Sequence, residues 1–163
     1  MLTDVFQGLV ERLRAETIAY YGDRLVTLAV FGSAGRGTPG PESDVDILLV
    51  VDPLPTGRMK RVQEFARIEE HLGDLLLELV ARGINTSIAP VFKTPGEVAL
   101  GSLLFLDMID DAKILFDRDG FFAGFLQQLK GKLEQLGARK VPYRGAWYWD
   151  LKPDFRKGDV IDL

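Results

Sequence analysis

The chain contains no cysteine and a single histidine, His71. The first absence excludes disulfides, thiol nucleophiles and cysteine-ligated zinc, without fixing a compartment. The lone His71 lies beside Glu69 and Glu70 in a helical pattern, with no companion group spaced to orient it. It therefore reads as a surface helix residue and not as a general base. No apolar run approaches the roughly 18 residues of a membrane span, and the N-terminus carries no signal-peptide pattern. A soluble cytoplasmic protein with no membrane partner is expected. Excess positive charge is missing too. The formal net charge is −4, which argues against a nonspecific grip on nucleic acid, because that grip comes from neutralising phosphates with Lys and Arg. The basic cluster Arg58-Met59-Lys60-Arg61 reads as a solvated helix face. Repeats, low-complexity tracts and obvious linkers are absent. With 163 residues, one domain with a proper core is expected, spanning 1–140 and followed by an aromatic-rich tail, 141–163, packed on the same domain.

What is present centres on the stretch from Leu25 to Val51. Two apolar runs, Leu25–Phe31 and Val45–Val51, are bounded by Gly, Pro and Ser and read as buried strands. Between them lies a loop that begins Gly32-Ser33 and ends Asp44-Val45-Asp46. Side chains alternate across a strand, so the two aspartates project from one face, within reach of a common ion. Carboxylates that close disfavour each other's ionised form, and a divalent cation resolves the conflict. All-oxygen ligation with spare positions suits Mg²⁺, with Mn²⁺ as the alternative ion, the remaining ligands coming from water and substrate phosphates. Gly32 permits a close backbone approach, and Ser33 offers a hydroxyl and an N–H. The residues after it can open a short helix whose N-terminus attracts phosphate oxygens. Arg36 either contacts a triphosphate or simply covers the loop. From Gly35 to Ser43 three glycines and two prolines predict an irregular surface crossing, able to adjust over a bound nucleotide.

Gly32-Ser33, ten residues, then Asp44-Val45-Asp46 resembles the GS-x10-DxD signature of the minimal nucleotidyltransferases, within the DNA polymerase β-like superfamily. The resemblance implies an α+β fold, a mixed sheet with helices packed around it. It implies an enzyme that moves a nucleoside monophosphate from a nucleoside triphosphate, such as ATP, to an acceptor hydroxyl on a protein or a small molecule. By the same resemblance Asp44 and Asp46 are the catalytic and metal-binding residues, and Gly32, Ser33 and Arg36 hold the nucleotide. A helical partner protein from a toxin–antitoxin pair is an implied partner. The family pattern also takes a third carboxylate from the third strand, expected here at Ile84–Val91. Asn85 and Ser87 fall at the plausible positions, and neither supplies a negative charge. Losing that ligand weakens chiefly the metal that activates the nucleophile; Glu42, Asp52, Glu97 and Asp107 are candidates to replace it. The alternative expectation is a catalytically weakened nucleotide-binding or antitoxin-like partner-binding module of the same fold. A relative of the tRNA nucleotidyltransferases is disfavoured by the acidic balance and the lack of room for a substantial RNA-binding domain.

The rest of the chain predicts scaffold. Thr3 or Asp4 caps a first helix that ends near Tyr21, and a long apolar stripe makes Thr56 to Arg82 helical. Pro90 places the third strand at a sheet edge or strand end. Thr94 starts a single, mostly buried helix carrying Leu100, Leu103, Leu104, Leu106, Met108 and Ile109. A short strand is expected at Lys113–Asp117, then an amphipathic helix closed by Gly137. The tail reads as irregular, pinned by Trp147-Tyr148-Trp149. Arg144, Lys152, Arg156 and Lys157 leave open a course along the nucleotide or acceptor cleft.

Overall fold

Val45, Ile47, Leu49 and Val51 turn to one side of their strand and Leu48 and Val50 to the other, and all six are fully buried. A strand buried on both faces must lie inside its sheet and covered by other elements. The computed structural model describes residues 2–144 and 146–161; Met1, Gly145, Asp162 and Leu163, which include the outer ends of the expected domain and tail, lie outside the described residues. In chain order the elements are α1 (Leu2–Tyr21), β1 (Leu25–Phe31), α2 (Gly32–Gly35), β2 (Val45–Val51), α3 (Arg58–Ala81) and β3 (Ile88–Lys93). They continue with α4 (Pro95–Leu100), α5 (Leu104–Asp111), β4 (Lys113–Asp117), α6 (Phe121–Leu136), β5 (Arg139–Tyr143) and β6 (Ala146–Asp150).

The main sheet has the order β3-β2-β1-β4. β1 is antiparallel to both β2 and β4, whereas β2 and β3 run parallel and are joined through α3, the long crossover that a parallel pair needs. The sheet is therefore mixed, within an α+β architecture. Pro90 lies in β3 at the sheet edge, where a missing ladder donor costs little.

Two apolar clusters sandwich the sheet. On the first face, Phe6, Leu9 and Leu13 of α1 and Phe65, Ile68 and Leu72 of α3 meet Val45, Ile47 and Leu49. On the second, Val98, Phe105, Met108, Phe122 and Leu129 from α4, α5 and α6 meet Ala29, Leu48 and Val50. A register irregularity between Leu25 and Thr27 returns Leu25 and Leu28 to the first face. Each large apolar side chain so buried contributes roughly 1.5–3 kcal/mol, which fixes the parity of β2 firmly. Continued backwards, that parity sends Asp46 and Asp44 toward the second face, the side of α5.

Three expectations are corrected. The helix from Thr94 is broken: α4 stops at Leu100, Gly101 adopts φ +83, and α5 restarts at Leu104. Leu100 and Leu103, expected to be mostly buried, are 86% and 71% exposed. The strand expected from Ile84 begins only at Ile88, and the run before it is held instead by Asn85 N–H donating to the Pro41 carbonyl and by the Thr86 hydroxyl donating to that of Ser43. The tail is not irregular throughout. Arg139–Tyr143 and Ala146–Asp150 pair as the antiparallel hairpin β5–β6, with Trp149 packed against the second cluster.

α4 is capped reciprocally. Thr94 Oγ1 accepts from Glu97 N–H at 3.2 Å, Glu97 Oε1 accepts from Thr94 N–H at 2.8 Å, and Arg61 donates to the same carboxylate at 2.9 Å. The Thr94 backbone N–H, against an opposing effect of burial and with the help of Arg61, holds the Glu97 carboxyl below its ordinary value. A depressed carboxyl adds stability above the ordinary glutamate range and loses it as pH falls through the depressed value. Glu97→Ala is expected to lower Tm by about 2–4 °C at pH 7, the size of one cap. Thermal scans should show the gap closing as the buffer is taken well below pH 4; a gap independent of pH would count against the ionised cap.

Candidate functional site

The turn from β1 into α2 is built for contact with β2. Gly32 adopts φ +66, and a Cβ there would collide with the Asp46 carboxylate. Gly35, one turn on, packs so closely that a Cβ would strike the backbone carbonyls of Val30 and Asp111. Asp46 is half-buried and accepts no hydrogen bond among the described residues, while Asp44, just before the strand, is exposed and accepts from Ser87 Oγ at 2.9 Å. Burial first, then the negative charge of Asp44, push the Asp46 carboxyl above its ordinary value, partly offset by the positive charge of Arg36. A half-buried carboxylate beside a second one, with no protein donor, is an unfilled demand for a cation. Two hard oxygen donors next to the Gly32-Ser33 turn fit Mg²⁺ with a polyphosphate.

The comparisons with known proteins decide the family. Residues 10–90 match the nucleotidyltransferase domain model. "Putative protein adenylyltransferase MJ1305" of Methanocaldococcus jannaschii is 30% identical over 139 residues, 83% of this chain and 86% of that protein. The chain belongs to the nucleotidyltransferase domain family. It is thus a member of an enzyme family with the polymerase β-like fold. Among solved structures, a toxin–antitoxin complex with AMP-PNP aligns at TM-score 0.46 with 13% identity, over 80% of this chain and 91% of that one. A mutant of the toxin–antitoxin MntA–HpeT aligns at 0.43 with 14% identity, over 80% and 90%.

In this nucleotidyltransferase the strand beside the aspartates is β3. Its register with β2 pairs Val45 with Ile88 and Asp46 with Ala89. Ser87 is therefore the neighbour of Asp44 and Ala89 that of Asp46, and the exposed Asn85 lies further back, its N–H spent on Pro41. Of the two positions expected for a third ligand, Ser87 lies beside Asp44 and Asn85 does not, and Ala89 is the further neighbour beside Asp46. None of the candidate substitutes is placed to serve. Asp52 follows the opposite end of β2, Glu97 is committed to its cap and Arg61, and Asp107 faces the indole N–H groups of Trp147 and Trp149, each at 3.4 Å. Glu42 is exposed in the connecting loop. Among the described residues no three acidic or histidine side chains gather as a metal-binding group.

Ser33 is half-buried in the first turn of α2, and Arg36 follows α2 with its backbone N–H on the Gly32 carbonyl at 3.0 Å. The Arg36 guanidinium pairs with Asp111 at 2.9 Å. A cleft of about 270 Å³ opens behind α2, floored by Phe6, Val10, Val30 and Ala34 with Arg36 and Lys113 at its rim. Neither aspartate borders it. His71 is a surface helix residue, its ring on Glu16 at 2.9 Å and its side chain 67% exposed. Asp111 is the residue that sequence reasoning missed; its only signal was the i, i+3, i+4 spacing of Asp107, Asp110 and Asp111 on one helix face.

Gly32→Ala is expected to cost on the order of 2 kcal/mol, or about 4–8 °C in Tm, because positive φ and the collision with Asp46 act together. Gly37→Ala is the comparison, since Gly37 shares the positive φ, +76, but has open space around its would-be Cβ. Equal losses in the two variants would show that the Asp46 contact contributes nothing.

Proposed function

We propose that the chain is a Mg²⁺-dependent adenylyltransferase that moves AMP from ATP to a hydroxyl of a protein acceptor. The observation that carries this reading is Asp46 set against the Gly32 turn with the charge of Asp44 beside it, half-buried and without a hydrogen-bond donor among the described residues. Family membership supports nucleotidyl transfer, and the name of the archaeal relative supports adenylyl as the group and protein as the acceptor. A helical partner protein is the first acceptor to try.

In the proposed reaction the acceptor oxygen forms a bond to the α-phosphorus of ATP as the bond from that phosphorus to the bridging oxygen breaks. Pyrophosphate leaves with the electron pair, and the acceptor proton passes to solvent. Asp44 and Asp46 would hold Mg²⁺, which supplies neutralisation of the charge that builds on the phosphoryl oxygens. The α2 N–H groups and the Ser33 hydroxyl orient the polyphosphate, and Arg36 adds positive charge beside it. Ser87 meanwhile fixes the Asp44 carboxylate by its hydrogen bond.

Calorimetry should show ATP binding more tightly with Mg²⁺ than with EDTA, and Asp44→Asn or Asp46→Asn should abolish the difference. Transfer of label from the α-phosphate of ATP to protein should fall by roughly 10²–10³ in either variant. Without divalent ions, Asp46→Asn should instead raise Tm by about 2–4 °C, since it removes an unpaired half-buried charge. Unchanged isotherms in both variants would refute the site. Ser87 and Ala89 beside the aspartates favour one second reading, a weakened nucleotide-binding module; tight binding with no label transfer to any acceptor would support it.

A further inference from the structure

Arg36 does not stand alone beside the aspartates. Its guanidinium donates to Asp111, a residue only 7% exposed at the end of α5, and lies 5.8 Å from the Trp147 ring centroid. Trp147 is held in turn. Its indole N–H faces Asp107 at 3.4 Å, and Lys140 Nζ sits 4.7 Å from its ring centroid while pairing with Asp110 at 3.0 Å. The acidic face of α5 thus grips both the signature loop, through Asp111, and the hairpin, through Asp107 and Asp110. Every one of these holding groups lies outside residues 10–90, the span that matches the family model.

We propose that the C-terminal hairpin forms a wall of the nucleotide site, with Asp111 and Trp147 as positioning residues that aim the Arg36 guanidinium at the polyphosphate. The inference rests on the reading that Arg36 meets the triphosphate. An arginine with many rotamers pays to be ordered when ligand arrives. A buried carboxylate and an aromatic face that already restrict it remove part of that cost, and the cation–π contact leaves its charge intact for the ligand. When an anionic polyphosphate draws on the same guanidinium, the surroundings of Trp147 change with it.

Both tryptophans of the chain, Trp147 and Trp149, lie in β6, so intrinsic tryptophan emission reports on this hairpin alone. The experiment titrates the full chain with Mg²⁺ and a non-hydrolysable ATP analogue, following emission and calorimetric heat together. The wild type should bind and change its emission at the same midpoint. Trp147→Phe should lose most of that change, and Trp149→Phe should keep it. Asp111→Asn and Trp147→Leu should each raise Kd about tenfold, whereas in an Arg36→Ala background neither should add more than about twofold, the mark of groups acting through one residue. Thermal scans confirm that each variant is folded. Analogue binding with silent emission, or costs that add fully to that of Arg36→Ala, would overturn the inference while leaving the aspartate site standing. No binding to the wild type would overturn the proposed function itself.

Discussion

The register of β2 is the constraint on which everything else depends. A slip of one residue would carry Asp44 and Asp46 into the core beneath α1 and α3 and turn Val45, Ile47 and Leu49 toward α5. Six fully buried side chains along one strand oppose that slip from both faces. The hydrophobic sandwich does more than hold the fold, because it determines which side of the sheet presents a negative pair. Gly32 completes the arrangement, since only a residue without Cβ leaves room for the Asp46 carboxylate against the turn.

Such a pair is costly to the free protein. Like charges raise each other's energy, and partial burial removes the water that would screen them. Arg36 relieves only part of this at Asp46. Structural needs alone would select an apolar or amide side chain at position 46, continuing the pattern of Leu48 and Val50. The strand departs from its own pattern at the point where the sheet meets the turn, and departures of that kind mark positions shaped by function.

Much of this was legible in the sequence. β1 and β2 appear with their expected bounds because long Val, Leu and Ile runs between turn residues admit few alternatives. α6 and its Gly137 closure were legible for the same reason of unbroken periodicity. The break between α4 and α5 was not, because the leucines on both sides of Gly101 continue an apolar count while the backbone reverses its hand. The hairpin was missed because Trp147-Tyr148-Trp149 is apolar on both faces of its strand, so alternation gave no signal, although Tyr148 is exposed and Trp149 is packed. The neighbours of the aspartates were half-read. Parallel register cannot be counted from sequence when the strand start is uncertain by several residues, and that uncertainty separates Asn85 from Ser87 and Ala89.

What a short signature encodes is limited by what it has to recognise. A polyphosphate calls for backbone N–H groups, a hydroxyl, a cation and a positive side chain, and in the proposed reading the stretch from Gly32 to Asp46 supplies the turn, Ser33, Arg36 and the two aspartates that would hold the cation. Any nucleoside triphosphate presents the same charges to it. Discrimination among bases and acceptors requires shape beyond the phosphates, and the elements that contact Arg36 on this face of the sheet are α5 and the β5–β6 hairpin. Those elements lie past the matched span, and they reach the signature through the Arg36 side chain and the close packing of Gly35 on the Asp111 backbone. The division explains why the family could be read from a few residues between two strands while the acceptor could not: a phosphate's charge is met by a short, local set of groups, and an acceptor's shape is not.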